Sequence, residues 1–429
     1  MTYRDFITAG GLTATGEDFT RWVRGFKEEM VAGLAGEPSS LRMIPTYLSA
    51  EALPRKGERV IVLDAGGTNL RVALMEFGPQ GPQETYFQTV PMLGTQGRLT
   101  VEEFYDQLAQ LVAPIAEQSR HIGFCFSFPC EILPDLDGKV LHFDKEVDIT
   151  GAAGSILGQG LRAALERRGL PHDHRMVVIN DTVAAMLGAM AQSVGGPGAY
   201  MGFILGTGTN ICASFPNAGI KKLPALGARP GTTIINLESG GFDKLERSAV
   251  DLAFDATTAN PGDQVLEKLI SGAYQGPMVL AYLRKANEAG VFTTAGGDKI
   301  GDIPRLTAKA ISEFLLDPQA PGDLSDATGD PADREAVMAI VDAFFHRAAR
   351  LTAATLCAVL DATGQAGDPQ RPVNIAAEGT TFYKCPLLHK YLLEDMEELG
   401  ARGLGLYSRF VQGQNPNLTG SALAALAEV

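Results

Sequence analysis

A glycine-rich turn near residue 64 has the residue types that can hold a phosphate group. Residues 64–69 read DAGGTN, with apolar runs before and after them. Gly66 and Gly67 permit positive φ and close backbone approach, so amide N–H groups and the Thr68 hydroxyl can donate to phosphate oxygens before Asn69 ends the turn. A plain hairpin turn is the alternative, because these residue types are common in turns for conformational reasons alone.

Two charged residues flank this turn. Asp64 ends the apolar run that enters it, and Arg71 lies just beyond it. A carboxylate at a strand end is placed to hold a magnesium-bound water beside the phosphates, and the arginine can steady the loop by hydrogen bonding. The sequence therefore predicts a Mg²⁺ ion that accompanies the phosphates and meets Asp64 through water, with no direct protein ligand.

A second turn of the same kind lies about 140 residues further along the chain. Residues 205–210 read LGTGTN, again between two apolar runs. Two such hairpins are what two phosphate loops facing one nucleotide would look like, one from each of two duplicated domains. No Gly-Lys-Ser/Thr follows either turn, and neither opens into a helix with GxGxxG spacing, which excludes a Walker loop and a dinucleotide fingerprint.

Between the two turns, an apolar run leads into the pair Asn180 and Asp181 and then into a helical pattern, VVINDTVAAMLGAM. An aspartate at a helix start is ordinarily a cap. In a phosphoryl-transfer cleft the same position gives an ionised carboxylate suited to accept a proton from an attacking sugar hydroxyl. Asp181 is compatible with both roles.

The elements that must position these residues alternate between strand and helix, which predicts an α/β layer structure. Thr15 with the acids that follow predicts a helix that ends near residues 33–36. Pro, Gly, Asp and Ser make residues 318–333 a predicted exposed loop, and Ser421 is predicted to cap a short terminal helix. The other predicted elements are hairpins over 60–77 and 200–215, helices over 101–118, 155–168 and 333–362, and strands over 121–129 and 175–180.

Composition bounds the class of protein. A chain of 429 residues favours two or more domains, and a formal charge of -14 argues against a nucleic-acid or anionic-membrane partner. The five cysteines include no CxxC pair, so a disulfide framework or a zinc site is not expected. The first residues lack a basic segment followed by an apolar one, and no apolar run is long enough to span a membrane. We expect a cytoplasmic protein.

Eight ordered segments resemble the marks of the eukaryotic-type hexokinase and glucokinase family, from about Met43 to the last residue. They are MIPTYL, LDAGGTNLR, FSFPCEI, INDTVAAML, LGTGTNICA, INLESGGF, NPGDQVLEKLISGAYQG and EGTTFYKCP. The resemblance implies the actin-like fold, in which two ribonuclease-H-like domains flank a central cleft. It also implies an enzyme that transfers the γ-phosphoryl of MgATP to the 6-hydroxyl of a hexose, with glucose as the first expectation.

The resemblance assigns roles to single residues. It implies that Asp181 is the catalytic base and that sugar is bound by Ser127, Lys145, Asn180, Asn210, Glu238 and Glu267. It assigns the ATP phosphates to Asp64, Gly66, Gly67, Thr68, Asn69 and Arg71 and to Gly206, Thr207 and Gly208. Adenosine is assigned to Gly379 and Thr380.

Two segments depart from the family pattern at the sugar side. Asp144 stands where the family has a threonine before the lysine that corresponds to Lys145, and Ser239 stands where the family has a tryptophan after the glutamate that corresponds to Glu238. The preferred sugar therefore stays open among glucose, mannose and fructose.

The resemblance also predicts how the chain divides. Residues 55–181 are expected to form a small domain completed by 418–429, residues 182–417 a large domain, and residues 1–54 a helical segment packed on the large one. Two other functions stay open. A sugar-binding regulator would keep the fold without turnover, and an actin- or chaperone-like ATPase would share the duplicated hairpins. Hexose and ATP are the expected partners, and protein partners stay unknown.

Overall fold

The computed structural model describes residues 1–50, 57–79, 81–143, 147–196 and 198–427. Lys145 and Asp144 lie outside the described residues. The strands are, in chain order, β1 (Ile44–Pro45), β2 (Arg59–Ala65), β3 (Asn69–Gly78), β4 (Gly81–Pro91), β5 (Leu99–Thr100), β6 (His121–Phe126), β7 (Cys130–Ile132), β8 (Gly138–Val140), β9 (Ile149–Thr150), β10 (Arg175–Ile179), β11 (Tyr200–Leu205), β12 (Thr209–Pro216), β13 (Thr232–Asn236), β14 (Val373–Glu378) and β15 (Ser408–Val411).

Helices fill most of the remaining chain, and the second half is the richer in them. They are α1 (Tyr3–Ala9), α2 (Gly16–Ala35), α3 (Val101–Val112), α4 (Leu157–Arg167), α5 (Asp181–Ala191), α6 (Pro224–Gly227), α7 (Ala249–Asp255), α8 (Val265–Ile270), α9 (Gly272–Glu288), α10 (Thr294–Asp302), α11 (Ala308–Leu316), α12 (Asp323–Ala327), α13 (Pro331–Thr363), α14 (Thr380–Lys384), α15 (Pro386–Asp395) and α16 (Pro416–Leu426). Short 3₁₀ turns span Ala113–Ile115, Asn217–Gly219 and Ser239–Gly241, and a π-helical segment, Met396–Leu404, follows α15.

The two main sheets share one strand order. In the five-stranded sheet the order is β10-β6-β2-β3-β4, and in the six-stranded sheet it is β15-β14-β11-β12-β13 with β1 added at the edge. In each sheet a glycine turn joins the two antiparallel strands at the centre, and two parallel strands complete one side. The α/β architecture and both predicted hairpins are confirmed, and the common order extends the likeness of the two halves well beyond the turns.

Helices α5 and α16 form the layer between the sheets. Helix α16 packs against β6, β2 and β10 of the first sheet, α5 packs against β11, β14 and β12 of the second, and the two helices pack on each other. Their backbones approach so closely that a Cβ atom at Gly420 would overlap the carbonyl of Ala184. A continuous apolar cluster runs through this layer, from Val62 of the first sheet through Leu423 to Ile234 of the second.

The N-terminal segment packs on elements of the second half. Helix α2 begins after the N-cap Thr15, whose hydroxyl accepts a hydrogen bond from the Asp18 amide, as the sequence predicted. Both α1 and α2 pack against α13. Arg347 and Arg350 of α13 donate hydrogen bonds to the backbone carbonyls of Gly11 and Ala14. The predicted domain boundaries themselves stay a prediction.

Two predictions about the second half are wrong. Helix α16 begins at Pro416, so Ser421 lies inside the helix and its hydroxyl donates to the carbonyl of Asn417, one turn earlier, at 2.7 Å. Proline at the first helical position has no amide hydrogen to lose, which makes it a suitable start. The segment 318–333 is not a wholly exposed loop, because it contains α12, whose Leu324 is buried.

Candidate active site

The first glycine turn joins β2 to β3, and a cross-strand ion pair lies beneath it. Asp64 and Arg71 are directly opposite each other on the two strands, and the Arg71 Nη1 atom lies 2.9 Å from the Asp64 Oδ2 atom. The Asp64 side chain is almost fully buried, whereas the arginine is 44% exposed. The turn is closed by a hydrogen bond from the Gly66 amide to the Asn69 carbonyl at 3.0 Å.

Burial dominates the electrostatics of Asp64. It raises the pKa of the carboxyl, because a charged carboxylate is less stable out of water, and the nearby Asp181 charge raises it further. The Arg71 guanidinium and a hydrogen bond from the Cys125 thiol oppose this rise. Cys125 stands next to Asp64 on β6, at the same level of the parallel strand pair. The charge of Asp64 thus depends on two partners.

Other elements hold the second glycine turn from outside. The Gly206 amide donates to the Gly208 carbonyl at 2.9 Å within the turn. The Gly206 carbonyl in turn accepts two hydrogen bonds of 2.8 Å, from the Gly272 amide and from the Thr381 hydroxyl. The Ala273 amide donates to the carbonyl of Thr207. The second turn is therefore fixed by the first residues of α9 and by α14.

The pair assigned to adenosine lies directly against this second turn. Gly379, with φ of 113°, follows β14 and precedes Thr380, the first residue of α14. A Cβ atom at Gly379 would overlap the Leu205 carbonyl, so close packing and positive φ both require glycine here. Before it, burial raises the pKa of the Glu378 carboxyl to about 7, and a hydrogen bond involving Gln412 opposes that rise.

Asn180 and Asp181 stand where β10 passes into α5. The Asn180 Oδ1 atom accepts a hydrogen bond from the Thr182 amide at 2.9 Å, so Asn180 is the N-cap. Asp181 is the first residue of the helix and does not cap it, which corrects the sequence interpretation. The Thr182 hydroxyl lies 3.3 Å from the Asp181 Oδ1 atom, and the aspartate is half-buried. Because the Asp181 carboxylate does not cap the helix, it is available to contact a ligand.

Three of the residues assigned to sugar meet in one hydrogen-bonded group. The Asn210 Nδ2 atom lies 3.4 Å from both the Asn180 Oδ1 atom and the Glu238 Oε1 atom. Its closest acceptor is the Oδ1 atom of Asn236, at 2.6 Å. Asn236 in turn donates to the Glu238 Oε1 atom at 2.8 Å. Sequence reasoning missed Asn236, although it stands in the quoted segment INLESGGF.

Glu238 is held in an unusual conformation. Its φ of 57° and ψ of 50° are left-handed. This conformation costs a non-glycine residue free energy, which the contacts around it must offset. Burial raises the pKa of its carboxyl, the Asn236 hydrogen bond and the Arg42 charge lower it, and the Asp181 charge raises it again. Ser239, which stands in place of the family's tryptophan, is fully buried, and its amide donates to the Asn210 Oδ1 atom.

The other two described sugar candidates, Glu267 and Ser127, each contact one of the glycine turns. The Glu267 Oε2 atom accepts a hydrogen bond from the Thr209 amide at 3.0 Å, so this carboxylate contacts the second glycine turn. The Ser127 amide donates to the Ala65 carbonyl at 3.1 Å, which places Ser127 beside the first turn. Lys145, as noted, lies outside the described residues.

Asp181 connects these regions electrostatically. Its charge acts on Asp64 beneath the first turn and on Glu238 in the amide group. The fold thus brings two glycine turns, a carboxylate at a helix start and a set of amides and carboxylates to one place. Apart from Lys145, every residue assigned from the sequence lies in or beside these regions.

Comparison with known proteins shows the family of the chain. Two family models, both described as hexokinase, match residues 8–191 and 200–427. The chain belongs to the hexokinase family. Their boundary falls between α5 and β11, which is also where the first sheet gives way to the second. Each matched half of the chain contains one of the two glycine turns.

Individual relatives support the same family. Hexokinase-3 of Rattus norvegicus is 30% identical over 431 residues, 95% of this chain and 45% of that protein. Hexokinase-4, chloroplastic, of Oryza sativa subsp. japonica is 30% identical and covers 86% of this chain and 77% of that protein. The chain spans less than half of the length of the mammalian relatives.

A solved structure shares the fold over its full length. The hexokinase from Schistosoma mansoni complexed with glucose superimposes with a TM-score of 0.79 and 22% identity, covering 99% of this chain and 98% of that one. The expected two-domain, actin-like hexokinase fold is confirmed. Within the part of the chain described here, none of the helices has the length and apolarity to cross a bilayer.

Proposed function

We propose that this protein is an ATP-dependent hexose kinase that transfers the γ-phosphoryl of MgATP to the 6-hydroxyl of glucose. The observation that carries the proposal is the position of Asp181, within electrostatic reach of both the first glycine turn and the amide group around Glu238. A base for phosphoryl transfer must stand between the donor phosphate and the acceptor hydroxyl. The location of Asp181 near both regions supports that role.

The nucleotide would lie along the two turns. Backbone amides of both turns and the Thr68 and Thr207 hydroxyls would donate to phosphate oxygens, and Gly379 and Thr380 would lie against adenosine. The second turn is held in place by the elements around it, so it suits the part of ATP that the reaction leaves unchanged. The half-exposed Arg71 beside the first turn adds positive charge next to the phosphates. Its guanidinium stays paired with Asp64.

Mg²⁺ fits the residues beside the first turn. Magnesium prefers oxygen ligands and keeps several waters, and the Asp64 carboxylate is an oxygen donor at the edge of the proposed phosphate site. Bound there with the nucleotide, the ion would neutralise phosphate charge. The Arg71 ion pair and the Cys125 hydrogen bond would hold the carboxylate in its ionised form and fix its direction. Asp64 would contact the ion through water.

The sugar would occupy the side lined by amides and carboxylates. Several adjacent hydroxyls, each able to donate and accept, are matched by a mixture of amide donors and carboxylate acceptors. Asn180, Asn210, Glu238 and Glu267 supply that mixture, and Ser127 and Lys145 stay predicted contacts. Asp181 would then accept the proton of the 6-hydroxyl as the oxygen attacks phosphorus. A preference for mannose or fructose is the alternative, because Ser239 and Asp144 depart from the family pattern. The cytoplasmic location stays a prediction.

Replacing the proposed base tests the function directly. We expect Asp181→Ala to lower kcat for glucose by roughly 10²–10⁴-fold and to leave the Kd for glucose within a few-fold, because the base acts mainly in the transition state. A coupled assay of sugar phosphate formation gives kcat, and calorimetry gives Kd. Asp298→Ala is the matched control, since Asp298 is exposed on α10 in the second half.

Three results would contradict the proposal. Normal turnover by Asp181→Ala would show that Asp181 is not the base. Absence of sugar phosphate with every hexose in a panel would favour a regulator that binds sugar without turnover. ATP hydrolysis that no sugar changes would favour an actin-like ATPase. The same panel, read as kcat/KM for glucose, mannose and fructose, decides the preferred hexose.

A further inference from the structure

Asn236 holds the centre of the sugar-side hydrogen-bond group without being one of the residues assigned to sugar. It ends β13 and is 6% exposed. Its Oδ1 atom accepts from the Asn210 Nδ2 atom at 2.6 Å, and its Nδ2 atom donates to the Glu238 Oε1 atom at 2.8 Å. If the amide were reversed, its nitrogen would face the Asn210 nitrogen and its oxygen would face the Glu238 oxygen. Both contacts therefore fix its orientation.

The orientation of Asn210 is fixed from the opposite side. Its Oδ1 atom accepts from the Ile211 amide at 2.8 Å and from the Ser239 amide at 3.2 Å. The Nδ2 group must therefore face Asn236, and with it Asn180 and Glu238. In Asn180 the Oδ1 atom is taken by the Thr182 amide, so its Nδ2 group is the end left to meet a ligand.

The backbone around Asn236 leaves its side chain little freedom to move. Asn236 pairs with Ile44 of β1 on one side and with Cys212 of β12 on the other. The Met43 amide donates to the carbonyl of the next residue, Leu237, at 3.2 Å. Glu238 lies two residues after Asn236, in its left-handed conformation. The Asn236 Nδ2 hydrogen bond thus restrains a carboxylate whose backbone conformation is costly by itself.

From these contacts we infer that Asn236 is a positioning residue that sets which sugar-side atoms donate and which accept. This inference rests on the proposed function. Among the described residues, each side-chain hydrogen bond to Glu238 goes to Oε1, so the Oε2 atom is the acceptor presented to a sugar hydroxyl. The Asn180 Nδ2 group is the matching donor. Asn236 acts through these neighbours and is not itself proposed to touch the sugar.

The test compares Asn236 with Asn217, a buried asparagine just beyond the end of β12. Asn217 donates to the Pro230 carbonyl at 3.1 Å and accepts from the Thr233 hydroxyl at 2.7 Å, at the far end of the β12 and β13 pair. We expect Asn236→Ala to raise the glucose Kd and KM by about 10-fold or more, while the KM for MgATP changes less than threefold. Asn217→Ala should lose comparable thermal stability and keep the parent glucose Kd.

A second variant gives a readout that lost packing would not produce. Asn236→Asp keeps the acceptor toward Asn210 but sets a carboxylate against Glu238, which already faces Asp181, the Cys130 thiol and the Arg42 charge. When the two carboxylates share a proton, the donor to Glu238 is restored. The glucose Kd of this variant should therefore rise as pH rises from 6 to 8, by more than the parent's does.

Calorimetric sugar binding separates this inference from the proposed function, because it does not need turnover. Asn236→Ala with a glucose Kd within twofold of the parent, or Asn236→Asp with the parent's pH dependence, would overturn the inference alone. A parent chain that binds glucose but forms no sugar phosphate would overturn the kinase proposal alone. A parent that binds no hexose would overturn both.

Discussion

The two glycine turns occupy the same place in two sheets of the same strand order, yet they are held in different ways. The first turn has a charged pair of its own hairpin beneath it, Asp64 and Arg71 across β2 and β3, and the Ser127 and Met92 amides donate to its Ala65 and Thr68 carbonyls. The second has no charged residue of its own and is held from outside, by Gly272, Thr381 and Glu267. A shared topology thus fixes where a turn lies, while its rigidity and charge come from what packs around it.

The largest expected effect comes from adding one methyl group near each turn. Gly379→Ala places a Cβ atom against the Leu205 carbonyl at positive φ, and we expect it to lower the free energy of unfolding by roughly 2–6 kcal/mol. Gly66→Ala adds its Cβ at 3.5 Å from the Asn69 carbonyl with no positive φ, and should change that free energy by about 1 kcal/mol or less. Denaturant unfolding measures both.

Equal stability losses in these two variants would break the comparison between the turns. Gly301→Ala is a suitable control, because a Cβ atom there meets nothing within 4 Å. A loss at Gly66 larger than at Gly379 would mean that the first turn is the more tightly held.

A smaller effect is expected from removing the carboxylate associated with each turn. Asp64→Asn should raise the KM for MgATP by about 10-fold or more and leave the glucose Kd unchanged, because a charge-assisted hydrogen bond contributes about 1.5–3 kcal/mol. Glu267→Ala should weaken the binding of both ligands, by about 10-fold each, because it removes the oxygen that accepts from the Thr209 amide and that is proposed to face the sugar. Titrating ATP and glucose separately distinguishes the two patterns.

For these carboxylates the informative control is Arg59→Gln, which removes an ion pair of the same hairpin at its other end. It should change neither constant. An Asp64→Asn variant that weakens glucose as much as MgATP would contradict the separation of roles.

The smallest effect concerns pH. Glu378, beside the second turn, has its pKa raised by burial from near 4.5 to about 7. A carboxyl with a raised folded-state pKa binds its proton more tightly in the folded protein, so its contribution to stability falls as pH rises from about 4.5 to about 7. Relative to Glu378→Gln, the parent should lose thermal stability across that range and no more above it. Identical Tm against pH curves would show that Glu378 does not titrate there.

Much of the fold could be predicted because its signals are local. Apolar runs around glycine turns predicted both central hairpins, and a capping threonine with an acid three residues later predicted the start of α2. Where two local signals compete, the sequence misleads. Ser421 offered a cap, but Pro416 starts α16 and Ser421 faces the preceding turn of the same helix.

The site was predictable in its members and not in its connections. Asn210, Glu238 and Asp181 are named by their motifs. Asn236 links Glu238 to Asn210, and its contact with Asn210 exists only once β12 and β13 are paired. Likewise, no spacing in the sequence indicates that Glu267 accepts from the Thr209 amide, because that contact depends on how α8 lies against the second turn. Tertiary packing alone decides such contacts.

The close layer of α5 and α16 has a consequence for how the protein is made. Helix α5 carries Asp181 at its first position, and α16, which covers one face of the first sheet, lies more than 220 residues later in the chain. During synthesis the ribosome must add the whole second sheet before that face can be covered. We therefore expect the first half to stay incompletely folded, with an apolar surface accessible to chaperones, until α16 has been synthesised and packs against α5.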